Sequence, residues 1–510
     1  MDFINSNLLS LIVFSPAVFA VLLLIVPVKE RGLKYAALIF SLITTALTIF
    51  LWIQYPAAAA DPAGFKLVVN VPWFTQINSN YHVGVDGISL AMILLTGILT
   101  PLGVLISFRI TDRVRTYLAL FLLLETGMLG VFASLDLIVF FIFWEIGLVP
   151  MYFLINVWGS KNRQYASFKF FIYTMAGSVG MLLAIQVLWT ALGHTYDMNT
   201  IQAALPNFSG TLFGLPAQTI KSIAFWAFTI AFAIKVPIWP FHTWLPDAHT
   251  EAPTAGSMLL AGVLLKLGAY GFLRIVLPFF PEQAAQFSVV LAVLALAGIV
   301  FTALAAFGQN DFKRLVAYSS VNHMGFVVLG IAVAAAAYGN PAYKGSAVVA
   351  VNGAVLQMFA HGLSSAAMFA LVGVVYDRAH TRDLDKLGGL WAIMPIYGGI
   401  LIFSAMANLG LPGLAGFPAE FQVVAGSWPV FTLITALSMI GLLMTGAYVL
   451  KAIQKVLHGP VNHDLHEMSE INWTERLALA PLMVLMLAIG LYPFWLMNVI
   501  NQSVTKLIGG

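Results

Sequence analysis

The sequence predicts an all-α polytopic membrane protein with about 14 transmembrane helices. Hydrophobic residues make up 60% of its 510 residues, and charged residues make up only 9%. Soluble domains carry about 25% charged residues, so this chain has too few to cover a surface in water. Its mean hydropathy is +0.92, and its apolar runs are about 20 residues long, which is the length that a helix needs to cross a bilayer.

Fourteen apolar runs predict the spanning helices, and the stretches 55–83 and 192–219 are predicted to be extramembrane loops. The first cation, Lys29, follows the first apolar run, whereas a cleaved signal peptide needs a basic segment before its apolar one. We therefore interpret the first run as a membrane helix. The predicted spans are 8–27, 33–54, 85–108, 115–134, 136–157, 166–190, 220–241, 254–277, 285–308, 312–336, 346–375, 391–425, 430–457 and 476–500.

The distribution of positive charge predicts the orientation of the chain. Most of the 24 Lys and Arg residues fall in loops on one side of this layout. Because loops rich in Lys and Arg stay in the cytoplasm, we expect both termini on the outer, periplasmic side of a bacterial inner membrane. The net charge of only +3 gives no reason to expect a nucleic-acid partner.

The composition also excludes several kinds of cofactor site. The chain has no cysteine, so it cannot hold a thiolate-ligated iron–sulfur cluster, a cysteine-bound zinc or a thioether-linked haem. The glycine-rich motifs that bind nucleotide phosphates are also missing from the sequence. We therefore expect no cofactor and no metal on this chain.

Lys235 is an ionisable residue inside a predicted span. A charge at the bilayer centre costs about 2.5–3.5 kcal/mol on insertion scales, so it needs a partner or a wet cavity. Pro237 and Pro240 follow it, and a proline lacks an N–H and clashes with the preceding helical turn. The sequence therefore predicts a helix that breaks just after Lys235. The alternative interpretation is a lysine that reaches a nearby interface.

Two further ionisable residues, Lys266 and Glu145, lie near the middle of their predicted spans. A glutamate close to a lysine favours the charged form of both, and separating the two favours release of the lysine's proton. Glu145 with a nearby lysine is therefore a candidate proton switch, and a passive salt bridge is the alternative. Lys266 is a candidate proton carrier or, alternatively, a buried counter-ion.

Glu420 lies in a second predicted span that is interrupted. Pro412, Gly413, Gly416 and Pro418 break an otherwise apolar run just before it. Each half of the chain thus has one broken helix beside an ionisable residue. This arrangement is typical of transporters that are built from repeats and have sites at the membrane midplane.

Two histidines, His323 and His361, lie inside predicted spans and can titrate near neutral pH. Each could be a hydrogen-bonded packing residue, and the pair could instead be axial haem ligands. Glu125, Asp136 and His242 are weaker candidates for a functional role. We expect Asp136 at a helix start, where a carboxylate favours the positive end of the helix dipole.

Several motifs resemble one family of membrane proteins. The segments are KVPIWPFHTWLPDAHTEAPT at 235–254, FFIFWEIGLVPMYFLI, NDFKRLVAYSSVNHMGF at 310–326 and LGLPGLAGFPAEF. Together they resemble the antiporter-like membrane subunits of respiratory complex I and the related Mrp cation/proton antiporters, over about residues 80 to 460. Glu420 stands where the other antiporter-like subunits usually have lysine, so the chain is most similar to the NuoM-type branch.

The resemblance implies a fold with two inverted five-helix repeats, helices 4–8 and 9–13, and with broken helices 7 and 12. The implied divisions are 1–114 for helices 1–3 and a loop, 115–277 for the first repeat, 285–457 for the second, and 458–510 for the last loop and helix.

The resemblance also implies roles for particular residues. The matching positions are Glu145, Lys235, Lys266, Glu420, His323 and His361. Glu145 and Lys235 would be the coupling pair, and Lys266 would be the central proton carrier. Glu420 would be the distal site, and His323 and His361 would connect the centre with the exit. The chain would be a proton-translocating subunit of NADH:quinone oxidoreductase, beside neighbouring antiporter-like subunits in a lipid bilayer. Flavin (FMN), iron–sulfur clusters and quinone are implied to be on partner subunits.

Other functions stay open on the sequence alone. A sodium/proton antiporter of the Mrp type, or the membrane arm of a hydrogenase, would use the same carboxylates and lysines. A more distant alternative is a redox anchor that binds haem or quinone through its histidines and aromatic residues.

Overall fold

Helices form nearly all of the structure, a computed structural model that describes residues 2–462, 465 and 467–509. The helices of the first half are α1 (Asp2–Ile25), α2 (Glu30–Gln54), α3 (Gly87–Ile106), α4 (Val114–Ala133), α5 (Leu137–Trp158), α6 (Arg163–Ala191), α7 (Met198–Ala204), α8 (Ala217–Lys235) and α9 (Trp244–Glu251). The next span is a single rod made of α10 (Thr254–Leu259), α11 (Leu265–Gly271) and α12 (Leu277–Phe279), joined by π-helical turns at Leu260–Leu264 and Phe272–Val276.

The second half continues with helices and has no strand among its described residues. Its helices are α13 (Pro281–Phe307), α14 (Phe312–Gly339), α15 (Lys344–Ala379), α16 (Leu390–Ile393), α17 (Pro395–Leu409), α18 (Gly416–Ser427), α19 (Thr432–Leu457), α20 (Trp473–Leu491) and α21 (Phe494–Leu507). Within the described residues, 13 helical segments are long and apolar enough to cross a membrane. The pair α17 and α18 accounts for the remaining predicted span, 391–425, so the predicted polytopic all-α fold is confirmed.

Three predictions about local structure were wrong or incomplete. The last predicted span, 476–500, is not one helix, because α20 ends at Leu491 and Pro493 separates it from α21. The predicted loop 55–83 contains an antiparallel hairpin of β1 (Lys66–Phe74) and β2 (Ser79–Val85). The predicted loop 192–219 contains α7 and a two-residue pairing of β3 (Thr211–Leu212) with β4 (Leu215–Pro216).

The predicted break after Lys235 is confirmed, since α8 ends at that residue and α9 begins at Trp244. The break leaves helical carbonyl groups without their usual donors, because Pro237 has no N–H to give. The indole Nε1 of Trp244 donates to the carbonyl of Ile234 at 2.9 Å, and the amide of Ile238 donates to Ala233 at 2.7 Å. These two hydrogen bonds satisfy the carbonyl groups of Ala233 and Ile234 where the helix ends.

The second predicted break lies between α17 and α18 and is also confirmed. Gly410 ends α17 with a φ of +83°, a backbone conformation that glycine adopts readily because it lacks a Cβ. A Cβ at Gly410 would lie 3.0 Å from the Oε2 atom of Glu420. The glycine therefore makes the turn possible and leaves room for the carboxylate.

The helices differ strongly in how much protein surrounds them. In the most apolar stretches of the spans formed by α10–α12, α14 and α15, 94–100% of the residues are buried within the molecule, whereas in those of α1 and α2 the share is 28–39%. These central helices therefore form the core of the protein. The candidate residues for proton transfer lie in this core.

Candidate functional site

Lys266 and His361 are in direct contact at the centre of the molecule. Lys266 lies on α11 and is fully buried, and its Nζ atom is 2.8 Å from Nδ1 of His361 on α15. The same ammonium donates to the carbonyl of Ala261, which belongs to the π-helical turn preceding α11. Lys266 therefore has polar partners inside the protein.

His323 and Glu420 form a second buried contact on the far side of His361. The Nδ1 atom of His323 on α14 lies 2.7 Å from Oε1 of Glu420 on α18. The side-chain amide of Gln357 on α15 donates to the same carboxylate oxygen at 2.8 Å. The Nε2 atom of His323 lies 3.0 Å from Oδ1 of Asn408. Both ring nitrogens thus face oxygen atoms that can accept hydrogen bonds.

The two contacts belong to one continuous row, because the rings of His361 and His323 lie next to each other. Their ring centroids are 5.5 Å apart. We call the four side chains Lys266, His361, His323 and Glu420 the buried row. Every member is at most 4% exposed, and each can gain or lose a proton.

Neutral polar residues surround the His323 end of the buried row. The hydroxyl of Ser319 donates to Oδ1 of Asn408 at 2.9 Å, and the hydroxyl of Tyr448 donates to Ser319 at 2.9 Å. The amide of Asn408 lies 3.4 Å from the hydroxyl of Ser364. These residues and Gln357 were not predicted from the sequence. Their signal was present, since each is a polar residue in a predicted apolar span.

Lys235 and Glu145 lie apart from the buried row and are not paired with each other. The Nζ atom of Lys235 is 5.0 Å from the centroid of the Trp144 ring and has no hydrogen-bond partner among the described residues. Glu145, the next residue along α5, is half-buried, and its Oε1 atom likewise has no partner there. The charge of Glu145 acts on Lys235, but no ion pair within 4.0 Å joins them. The structure therefore places the predicted pair near each other without contact.

The three weaker candidates have different surroundings. Asp136 is the N-cap of α5, because its carboxylate accepts from the amides of Ile138 and Val139 at 2.8 and 3.1 Å, as expected. Glu125 is fully buried on α4, and neither carboxylate oxygen has a hydrogen bond in the described part of the chain. His242 lies between α8 and α9 with its ring beside Tyr318. Among the described residues, none of the three forms a hydrogen bond or an ion pair with the buried row.

No group of three or more His, Asp or Glu side chains within the described ranges could hold a metal ion. The side chains of the buried row instead contact one another in pairs, and Nε2 of His361 has no hydrogen-bond partner among the described residues.

Comparisons with known proteins place this arrangement in a family. Residues 134–445 match the family model described as NADH:quinone oxidoreductase/Mrp antiporter, transmembrane. NADH-quinone oxidoreductase subunit M of Rhodobacter capsulatus is 40% identical over 512 residues, which cover 98% of this chain and 96% of that protein. Subunit M of Pseudomonas aeruginosa is 40% identical over 473 residues, or 90% and 89% of the two chains.

Solved structures give the same fold. A chain of respiratory complex I from Thermus thermophilus with bound NADH superposes with a TM-score of 0.84 at 28% identity, covering 98% of this chain and all of that one. A chain of the Mrp complex from a Dietzia species superposes with a TM-score of 0.82 over 99% and 98% of the two chains. At 19% identity, this second likeness concerns the fold alone.

Proposed function

This chain belongs to the NADH:quinone oxidoreductase/Mrp antiporter family, and we propose that it moves protons through the buried row from Lys266 to Glu420. It acts as a proton-translocating membrane subunit of an NADH:quinone oxidoreductase. Its identity of 40% to subunit M over nearly the whole length favours this enzyme over a free-standing sodium/proton antiporter.

The observation that carries the proposal is the series of close contacts along the buried row. A proton that reaches Lys266 can pass to His361 across 2.8 Å, and one on His323 can pass to Glu420 across 2.7 Å. Short distances between heavy atoms are the geometric requirement for proton transfer between positioned side chains. The neighbouring histidine rings bridge the two contacts.

Glu145 and Lys235 control the proton on the row in this proposal. When Glu145 approaches Lys235, both charged forms are stabilised; when the two separate, the lysine tends to release its proton. The absence of an ion pair between them corresponds to the separated state. Since Glu145 is half-buried, a neighbouring antiporter-like subunit can reach it and bias this contact.

The redox chemistry belongs to other subunits in this proposal. Both ring nitrogens of His323 already face Glu420 and Asn408, which argues against axial ligation of haem by this histidine. Flavin, iron–sulfur clusters and quinone would bind to partner subunits, with which this chain shares a bacterial inner membrane. The excess of Lys and Arg in the loops of one side supports a periplasmic position for both termini.

The two sequence repeats are part of the same proposal. We place the first repeat at 115–277 and the second at 285–457, each with one of the two broken helices. In this division Lys235 lies at the break of the first repeat and Glu420 lies just after the break of the second.

Replacing Glu420 by glutamine tests the proposed function. Glutamine is nearly isosteric and its side-chain oxygen can still accept from His323 and Gln357, but it cannot carry a proton. We expect NADH-driven proton pumping in membrane vesicles to fall at least tenfold in E420Q, and coupled NADH oxidation to slow. If Glu420 serves only as a hydrogen-bond acceptor, the assembled E420Q complex will pump normally, and the proposal is wrong.

A further inference from the structure

A small polar cavity lies at the end of the molecule that carries the hairpin β1–β2 and the helix α21. Its volume is about 110 Å³, and a polar space of this size has room for water. Charged and hydroxyl side chains contribute to its lining, which includes Asp86, Tyr270, Arg274, Ser503 and Lys506. Tyr270 and Arg274 belong to the rod α10–α12, the span that also carries Lys266.

Tyr270 and Arg274 lie between Lys266 and this end of the rod. Lys266 and Tyr270 are four residues apart on α11, and Arg274 follows four residues later in the second π-helical turn. Residues at this spacing share one side of a helix. At 1.5 Å per residue, Arg274 is about 12 Å along the rod from Lys266. The two side chains therefore form the wall of the cavity on the side of Lys266.

Arg274 is held between Tyr270 and Asp86. Its Nε atom donates to the hydroxyl of Tyr270 at 3.0 Å, and its Nη2 atom forms an ion pair with Oδ2 of Asp86 at 2.6 Å. The guanidinium carbon lies 4.7 Å from the ring centroid of Phe65 and 5.2 Å from that of Tyr270. Only 13% of the side chain is exposed. A positive charge is therefore fixed in position between these groups.

The hydrogen bonds of this cluster do not form a proton relay. A guanidinium has donors and no acceptor, and it keeps its proton in proteins. The hydroxyl of Tyr270 accepts from Arg274 and donates to the backbone carbonyl of Phe132 at 2.9 Å. Each step of a relay needs a group that accepts a proton and releases one, and neither the guanidinium nor the carbonyl does both. The series of hydrogen bonds therefore ends at Phe132.

We propose that Arg274, held by Asp86 and Tyr270, is a barrier that closes Lys266 to protons from this cavity. A fixed arginine charge repels protons as well, as it does at the constrictions of selective channels. A proton on Lys266 then leaves through His361, along the buried row. This inference rests on the proposed function of the row and adds the element that gives the row its direction.

A structural connection between helices is the alternative role for Arg274. Asp86 has a structural role without it, because its Oδ1 atom caps α3 by accepting from the amides of Ile88 and Ser89 at 3.1 and 2.9 Å. Such a cap needs no cation, and burying a cation beside it costs desolvation free energy. It also does not require the contact with Tyr270, one turn from Lys266. A barrier accounts for both the charge and its position.

Passive proton leak tests the inference in proteoliposomes that contain the purified, assembled complex and no NADH. An internal pH dye follows the decay of an imposed pH gradient, while valinomycin and potassium clamp the membrane potential. R274Q removes the charge, so we expect the gradient to decay at least threefold faster than in the parent. R274K keeps the charge and should stay within twofold of the parent. The matched control is D197N, which breaks the His82–Asp197 pair at the same end of the molecule and should not leak.

A double variant separates an open barrier from loose packing. If the leak passes through Lys266, R274Q/K266A should be as tight as the parent, because alanine cannot carry a proton. A leak that persists in R274Q/K266A would show that the cluster only packs the helices, and the inference would be wrong. The same holds if R274Q is as tight as the parent, or if R274Q and R274K leak equally.

The leak measurement and the test of the proposed function can fail separately. E420Q leaves Arg274 in place, so its proteoliposomes should be as tight as those of the parent. If E420Q pumps normally while R274Q leaks through Lys266, the row is refuted as the path and the barrier stands. If E420Q loses pumping while R274Q does not leak, the row stands and the barrier is refuted.

Discussion

The two ionisable sites of the molecule use similar residues in different ways. In the buried row, Lys266 touches His361 and Glu420 touches His323, at 2.8 and 2.7 Å. At the other site, Lys235 and Glu145 make no ion pair, and the ammonium of Lys235 faces the ring of Trp144. The difference suggests that the buried row is a standing path for protons, whereas Lys235 and Glu145 are a contact that forms and breaks.

The energetics of the second site support this interpretation. An ammonium over the face of a tryptophan gains about 0.5–2 kcal/mol. Removing an ion from water costs several kcal/mol, so this contact alone does not compensate for the burial of the ammonium. The position of Lys235 over Trp144 is therefore easily exchanged for contact with a carboxylate. A glutamate one residue away from that ring is well placed for the exchange.

The largest effect is expected at the centre of the buried row. Lys266→Arg keeps the positive charge, but arginine is effectively always protonated and cannot pass its proton to His361. We expect proton pumping to be lost almost as completely as in Lys266→Ala, measured as fluorescence quenching in inverted vesicles. A fully active arginine variant would mean that only a static charge matters there, and that the row is not a path.

The next largest effect is expected at the switch. Glu145→Gln removes the charge that acts on Lys235 and keeps the size of the side chain. We therefore expect the pumping rate to fall at least tenfold, which corresponds to about 1.4 kcal/mol in the activation free energy. Glu145→Asp keeps the charge with a shorter reach and should retain partial activity. If the glutamine and aspartate variants pump equally, the contact with Lys235 is not a charge switch.

A smaller effect is expected from the polar surroundings of the row. Asn408→Leu removes the oxygen that faces Nε2 of His323, so the ring loses one hydrogen-bond partner. We expect pumping to fall severalfold per assembled complex, as for the loss of one ordinary hydrogen bond. The matched control is Asn322→Leu. Asn322 is buried and precedes His323 in the sequence, but its side chain forms hydrogen bonds with Ile299 and Thr445 and not with His323. Equal losses in both would indicate a packing effect.

The smallest effect is expected for a charge pair outside the spans. Burial raises the pKa of Asp197, but hydrogen bonds from His82 and Thr200 outweigh it and hold the pKa below its ordinary value. The resulting stabilisation is present above the ordinary aspartate pKa of about 4 and is lost as the pH falls through the lower folded-state value. Asp197→Asn should cost at most about 1 kcal/mol at pH 7.

That variant should leave pumping unchanged and shift the heat-inactivation midpoint of the complex by only a few degrees. A loss of pumping in Asp197→Asn would show that charge pairs outside the membrane matter as much as those of the buried row.

Local signals in the sequence were sufficient for the helices and for both breaks. Long apolar runs specify membrane spans, and prolines and glycines beside Lys235 and Glu420 specify where they are interrupted. The same signals did not predict the break in 476–500, because the sequence stays apolar on both sides of Pro493. They also did not predict the hairpin β1–β2, because its strands are short and mixed in polarity.

The contacts of the buried row were beyond the reach of local signals. His323 and Glu420 are 97 residues apart in the chain, and Lys266 and His361 are 95 residues apart. Only the packing of α11, α14, α15 and α18 brings them together. Gln357 and Asn408 were overlooked because a neutral amide in an apolar run is far less conspicuous than a charge.

Because α15 is long, the spacing of its proton-path residues does not depend on the thickness of the membrane. Its 36 residues extend about 54 Å, far more than the hydrocarbon core of about 30 Å. A helix exposed to lipid would tilt or deform the bilayer to relieve such a mismatch, but residues 350–375 of α15 are all buried within the protein. The spacing of Gln357 and His361 along α15 is therefore set by the helix itself. Thinner or thicker membranes would mainly affect the peripheral helices α1 and α2.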